Sequence, residues 1–419
     1  MTKLINCSHI DGTLTAPSSK SLAQRAIVAA MLSDGTTLLQ HLTLCNDTQA
    51  ALQAAKTLGA TISAAGTTYS IASHFLDNST TPQQIFCGES GLLVRMLSPV
   101  AALLEAPVQL CGTGSLLERP LNAIEDALQQ LGVKITSQNG RIPLLIQGKL
   151  KGGTLHIDGS IGSQLLTGLL MALPLATNDS TIFVQQLKSQ PYVALTINLL
   201  QHFGIQIEHH QYEKFYIGGG QKYKACTYNI DGDWSAASCL LAAGCIAGRV
   251  SVANLNLNSL QADAAIVEAI RLAKGNIEVV QNEGVATVTA HQSPLRAFDF
   301  DATHCPDLFP ALVALAACSQ GTTRLSGALR LTHKESNRAI ALQQEFGKMG
   351  IAITLQGDVM YVKGGTMAAA TVQAHNDHRI AMALATAALC AQGEVAIEGA
   401  ECVEKSYPQF WEDFCGMIQ

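Results

Sequence analysis

Leu58-Gly59-Ala60-Thr61-Ile62 lies where a helical pattern that starts at Ala51 gives way to strand-like residues, and the chain returns to that succession again and again. It recurs as Leu131-Gly132-Val133-Lys134-Ile135, Phe203-Gly204-Ile205-Gln206-Ile207, Lys274-Gly275-Asn276-Ile277 and Met349-Gly350-Ile351-Ala352-Ile353. Each copy reads as a helix stopped by a glycine, which enters the left-handed region cheaply, and then a strand. Successive glycines are 73, 72, 71 and 75 residues apart. Such a period marks an internal repeat, and the repeat decides the architecture before any single element does. A sixth copy opens at Gln409-Phe410-Trp411, close to the last residue.

A second helix recurs in phase with the first, beginning near Ser19, Glu89, Gly162, Asp233, Asp307 and Asp377. These helices are rich in Ala and Leu and apolar almost all round, so they are expected to be buried, with sheets outside them. The expected fold class is therefore α/β, with six repeats of about 72 residues arranged as three in each of two domains. Polar, loop-like sequence at Gly218-Gly219-Gly220-Gln221-Lys222 and the stretch Ala16 to Lys20 mark two chain crossings. The expected domains are residues 1–18 with 226–419, and residues 19–225.

Composition narrows the function classes. The chain has 419 residues, 48% hydrophobic and 14% charged, which is enough apolar sequence for two well-buried cores. A net charge of -6 argues against nucleic acid or an anionic membrane as the partner, so any anion site must be a local cluster of cations. Twelve cysteines are scattered without a Cys-x-x-Cys pair or zinc-type spacing, as expected of small buried hydrophobes in a reducing compartment. The apolar run Leu165 to Ala176 contains Thr167 and Pro174 and is too short to span a bilayer. The first residues lack the apolar stretch of a secretory signal. A cytoplasmic protein, with neither nucleic acid nor membrane as partner, is the expectation.

The polar residues gather at the starts of the buried helices. Start one is Pro17-Ser18-Ser19-Lys20-Ser21 with Arg25, and start two is Cys87-Gly88-Glu89-Ser90-Gly91 with Arg95. Glu118-Arg119-Pro120 lies between starts two and three. Start three is Gly159-Ser160-Ile161-Gly162-Ser163-Gln164, followed by Ser189-Gln190-Pro191-Tyr192. Start four is Gly232-Asp233, and start five is Pro306-Asp307, followed by the run from Arg330 to Lys334-Glu335-Ser336-Asn337-Arg338. Start six is Asn376-Asp377-His378-Arg379, with Lys405 after it. Taken singly, each has a plain explanation: Asp233, Asp307 and Asp377 as helix caps, Lys334 to Arg338 as a solvated face, His375 and His378 without a third metal ligand. Taken together, Lys20, Arg25, Arg119, Lys334, Arg338, Arg379 and Lys405 around Asp307 and Glu335 suit two anionic substrates and proton transfer between them. Helix N-termini add their own preference for anions.

This ordered set, from residue 17 to residue 408, resembles the EPSP synthase family, the 3-phosphoshikimate 1-carboxyvinyltransferases. The resemblance implies two domains, each an inverted α/β barrel of three repeated units, and an enzyme that joins 3-phosphoshikimate and phosphoenolpyruvate with release of phosphate. It implies no metal and no cofactor. By matching positions, 3-phosphoshikimate would be held by Lys20, Ser21, Arg25, Ser163, Gln164, Ser189, Asp307, Arg330 and Lys334. Phosphoenolpyruvate would be held by Lys20, Gly91, Arg119, Gln164, Arg338, Arg379 and Lys405. Asp307, Glu335 and Lys20 would be catalytic. Leu92, Glu89 and Gly162 depart from the family's usual residues, and Glu89 would add a negative charge beside an anion site. A monomer is expected. Two alternatives stand beside this reading. UDP-N-acetylglucosamine 1-carboxyvinyltransferase carries a cysteine where this chain has Gly114. A silent phosphate-binding protein would not need Asp307, Glu335 and Lys20 together.

Overall fold

The computed structural model describes residues 1–73, 75, 82–282, 284–332 and 334–419, with residue 282 described for its backbone only. The chain divides into two compact units, residues 20–230 and residues 1–19 with 231–419. Each has its own hydrophobic core. The expected boundary at 225/226 moves to 230/231 for a local reason. Strand Thr227–Asn229 runs parallel to Ser33–Gln40, which ties residues 226–230 to the unit they close. Ser19 likewise stays with residues 1–18, because its N–H donates to the carbonyl of Asp231.

In the unit of residues 20–230 the helices are α1 (Lys20–Leu32), α2 (Asn46–Thr57), α3 (Gly91–Ala101), α4 (Asn122–Gln130), α5 (Gln164–Ala172) and α6 (Gln190–His202). One succession recurs: strand, buried helix, parallel strand, outer helix, antiparallel hairpin. Gln83–Phe86 pairs parallel with Val108–Cys111 across α3, and Lys134–Gln138 and Arg141–Gln147 complete that sheet. Thr154–Asp158 and Ser180–Gln185 do the same across α5, with Glu208–His210 and Lys214–Ile217 as the hairpin. Around α1 the first strand is supplied from the far end of the unit, by Tyr223–Lys224 and Thr227–Asn229. The apolar composition of α1, α3 and α5 is what drives them inward: Leu22 to Leu32 are all buried, as are Leu165 to Ala172. Gly168 lets α5 lie against α3, since a Cβ there would stand 2.4 Å from the carbonyl oxygen of Arg95.

The other unit contains α7 (Trp234–Ala247), α8 (Ile266–Leu272), α9 (Phe309–Ala317), α10 (Arg338–Lys348), α11 (His378–Ala388) and α12 (Phe410–Gly416). Here α7, α9 and α11 pack on one another and sheets face them. The chain's first residues complete two of those sheets. Ile10–Thr15 is the parallel partner of Gly248–Leu255, and Thr2–Ile5 runs antiparallel to Ala391–Glu398 where the sixth hairpin would stand.

The helix-ending glycines behave as expected at Gly59, Gly132, Gly204 and Gly350, all at positive φ. In the fourth copy the left-handed residue is Lys274 (φ 63), one position earlier. Gly275 is required there for closeness instead: a Cβ would meet Ile270 Cγ2 at 2.7 Å.

Candidate functional site

The residues singled out from the sequence fall into two groups, one in each unit. In residues 20–230, α1 begins at Lys20, whose Nζ lies 3.1 Å from Asp47 Oδ2 near the start of α2. One turn further, Arg25 is only 1% exposed. Its Nη1 donates to the Ser21 carbonyl at 2.7 Å, its Nε to Thr196 Oγ1 at 2.9 Å, and its Nη2 to Thr167 Oγ1 at 3.4 Å. A single guanidinium therefore ties α1 to α5 and α6. Burial lowers its pKa to about 10, with Tyr192 opposing, so it stays charged at neutral pH.

At the start of α3, Ser90 accepts a bond from Leu93 N–H at 3.2 Å and donates to Gln24 Oε1 at 2.7 Å. The next residue must be small. A Cβ on Gly91 would stand 2.2 Å from Arg119 Nη1 and 2.9 Å from Arg95 Nη1. Arg95 Nη1 donates to the Gly91 carbonyl at 2.9 Å and to Gln164 Oε1 at 3.3 Å, and its Nη2 to the Pro120 carbonyl at 3.0 Å. Gly91, Arg95, Arg119 and Gln164 thus form one cluster, with two guanidiniums beside a helix N-terminus. Burial, then the charge of Arg119, lowers Arg95 to about 10. Two guanidiniums beside a helix N-terminus are chemically suited to an anion. Ser163 directly precedes α5, and Ser189, in the left-handed region at φ 57, directly precedes α6.

Glu89 also has a local structural partner. Its carboxylate accepts from Ser115 N–H at 2.8 Å, at the head of the 3-10 turn Gly114–Glu118 that leads to Arg119. The carboxylate thus helps to hold that loop. Gly114 (φ 54) faces the same carboxylate, and a Cβ there would stand 2.4 Å from Glu89 Cδ. No cysteine fits at 114 without displacing Glu89.

The second group is denser. Asp307 sits in the 3-10 turn Pro306–Leu308 before α9, and is not the cap the sequence allowed. Its Oδ1 lies 3.1 Å from Lys334 Nζ and 2.6 Å from Arg338 Nη1, and its Oδ2 3.8 Å from Arg379 Nη2. Burial alone would raise this carboxyl; Lys334, Arg379 and Arg338 outweigh it and hold the group well below the usual carboxylate range. Arg338 is fully buried, so Lys334 to Arg338 is no solvated face. Its Nη2 donates to Glu335 Oε2 at 2.5 Å and its Nε to Asp377 Oδ2 at 2.7 Å. Asp377 does cap α11, through Arg379 N–H at 3.1 Å, and its other oxygen accepts from Ser336 at 3.1 Å. Asp233 caps α7 through Ala236 N–H at 3.0 Å. Lys405 Nζ donates to the Asn376 carbonyl at 2.6 Å. Arg330 lies in the 3-10 turn Ala328–Leu331, close enough to Lys334 to depress its pKa, though burial does more. Behind these, Asp263 is fully buried and pushed up to about 6 by burial, with Arg379 opposing.

Several members had no sequence signal. Thr167 and Thr196, which bracket Arg25, and Asp47, which pairs Lys20, sit far from their partners along the chain. Arg95 had one, its i, i+4 spacing from Gly91 at a helix start. Chemically, the first group offers concentrated positive charge, and the second offers an ionised carboxylate among cations with a second carboxylate nearby.

The chain is similar to known proteins along its length. The family model described as EPSP synthase (3-phosphoshikimate 1-carboxyvinyltransferase) matches residues 5–414. The 3-phosphoshikimate 1-carboxyvinyltransferase of Methanocella arvoryzae is 39% identical over 414 residues, 98% of this chain and 97% of the relative. That of Clostridium novyi is 36% identical over 421 residues, 97% of this chain and 95% of the relative. Among solved structures, EPSP synthase from Acinetobacter baumannii superposes with a TM-score of 0.83, covering 100% of this chain and 98% of that one at 24% identity, a likeness of fold.

Proposed function

The chain belongs to the EPSP synthase (3-phosphoshikimate 1-carboxyvinyltransferase) family, and from that premise we propose how its residues carry the family's reaction. The enzyme transfers the carboxyvinyl group of phosphoenolpyruvate to the 5-hydroxyl of 3-phosphoshikimate and releases phosphate, a step of chorismate and aromatic amino acid biosynthesis. The observation that carries the assignment of roles is Asp307, ionised between Lys334, Arg338 and Arg379 with Glu335 on the same guanidinium. In this reading Lys20, Ser21, Arg25, Ser163, Gln164, Ser189, Asp307, Arg330 and Lys334 hold 3-phosphoshikimate. Lys20, Gly91, Arg119, Gln164, Arg338, Arg379 and Lys405 hold phosphoenolpyruvate, the arginines gripping carboxylate and phosphate in pairs.

The chemistry runs in two steps. The 5-oxygen bonds to C2 of phosphoenolpyruvate as its proton passes to Asp307, and the methylene C3 takes a proton from Glu335, which enters this step as the protonated acid, giving a tetrahedral adduct. Glu335 then takes a proton back from C3 while the C2–O bond to phosphate breaks, the departing phosphate takes up the proton held by Asp307, and Lys20 stabilises its oxygens. Without substrate, three cations weaken Asp307 as a base. Substrate anions draw on those cations, and the carboxylate gains basicity when the hydroxyl arrives. We also propose that the enzyme works as a monomer in the cytoplasm; among the described residues no helix is long and apolar enough to cross a membrane.

The test is a coupled phosphate-release assay. Release is expected only with 3-phosphoshikimate and phosphoenolpyruvate together. Release with UDP-N-acetylglucosamine as acceptor would overturn the reading.

A further inference from the structure

We propose that His375 and Glu345 are positioning residues for the phosphoenolpyruvate side of the site, anchoring the turn that presents Asn376 to Arg379. The inference rests on the assignment of Arg338, Arg379 and Lys405 to phosphoenolpyruvate made above. The turn links strand Met367–Gln373 to α11, and two successive non-glycine residues in it are left-handed, His375 at φ 52 and Asn376 at φ 53. Such a conformation persists only where the surroundings over-determine it, and it gathers where geometry matters for function.

What holds the turn is visible at both ends. At its end, Asp377 accepts from Arg338, and the Asn376 carbonyl accepts from Lys405 Nζ at 2.6 Å. At its beginning stands Glu345, 2% exposed. Glu345 Oε2 accepts from Gln373 N–H at 2.8 Å and from Lys348 Nζ at 2.7 Å, and Oε1 lies 2.7 Å from His375 Nε2. Burial would raise this carboxyl, but the bonds from Lys348, Gln373 and His375 outweigh it, so it is ionised. An ionised carboxylate only accepts, hence the His375 nitrogen that faces it carries the proton.

Arg338 and Glu345 both belong to α10, two turns apart and on one face. That helix therefore grips the turn at two points. One grip, Arg338 on Asp377, and the neighbouring Lys405 contact are made by groups expected to bind substrate. The other, Glu345 on His375 and Gln373, is made by groups with no such task. It keeps the turn in register while Arg338 and Lys405 engage the ligand.

The experiment is steady-state kinetics of the full chain with each substrate varied in turn. His375→Ala is expected to raise KM for phosphoenolpyruvate about fivefold or more while KM for 3-phosphoshikimate stays within about twofold. His375→Gln, whose side-chain amide still donates to Glu345, is expected to recover most of the loss. Glu345→Gln, the same shape without the charge, should show the same selective rise and serves if His375→Ala does not fold. A folded His375→Ala with unchanged KM for phosphoenolpyruvate, or with both KM values raised equally, overturns the inference. Lys405→Ala separates the two layers. If it too leaves that KM unchanged, the substrate assignment fails and this inference falls with it. If Lys405→Ala raises it and His375→Ala does not, only the positioning role is wrong.

Discussion

Replacing Arg338 by methionine keeps most of the buried stem and removes the guanidinium that Asp307, Glu335 and Asp377 share. Asp377, itself fully buried, then keeps only Ser336 and the Arg379 N–H among the partners described above. Breaking a buried ion pair by removing one partner costs about 3–5 kcal/mol, because the other charge is left uncompensated. For a unit of this size that corresponds to a fall in melting temperature of roughly 10 °C. The loss should depend on pH with a definite sign. In the native protein Asp307 is held well below its ordinary pKa, partly by Arg338. Between that depressed value and about 3.9 the unfolded chain binds more protons than the folded one, so native stability rises with pH through this window. Removing Arg338 lets the carboxyl titrate nearer its ordinary value, and the variant gains less from the same rise in pH. The stability difference should therefore be full and flat from about pH 5 to 7 and shrink as pH falls below about 4. Urea unfolding of both proteins at several pH values measures this. A difference under about 1 kcal/mol at pH 7, or one that grows on acidification, would refute the assignment of Arg338 as the shared counter-ion.

Asp307→Ala and Glu335→Ala should each lower turnover by about 10²-fold or more with the fold retained, read by phosphate release beside circular dichroism. A near-normal rate in either removes that residue from the chemistry. Arg25→Lys keeps the charge but cannot reach Ser21, Thr167 and Thr196 at once, so KM for 3-phosphoshikimate should rise about tenfold; an unchanged KM would mean that the guanidinium geometry is irrelevant. Gly114→Ala places a methyl against Glu89 at a left-handed position and should cost roughly 1–3 kcal/mol in thermal or urea unfolding. A neutral result would show that the Glu89 loop yields freely.

Much of the molecule was legible because it repeats. Buried helices apolar on every side, closed by glycine at a steady period, imply sheets around them whatever else the chain does. Departures came where a local rule met a tertiary need. Gly275 was read as a left-handed stop, and packing against Ile270 had made the close approach its purpose. Glu89 was read as a charge beside an anion, and its carboxylate has a second task the sequence did not signal, accepting from Ser115 N–H in the loop before Arg119.

By itself the sequence determined the α/β class, the period, the two chain crossings to within a few residues, and the polar residues at the helix starts. Those are properties of neighbours along the chain: amphipathicity, breakers, capping residues and their spacing. Only the tertiary structure decided which carboxylate meets which cation, that Asp307 is an ion-pair centre while Asp233 and Asp377 cap helices, and that Arg25 joins three helices. It also decided which strands of the far half the N-terminal strands pair with, and in which direction. Charge pairing falls off over a few ångströms of space and is indifferent to separation along the chain, so no pattern in the order of residues could have stated it.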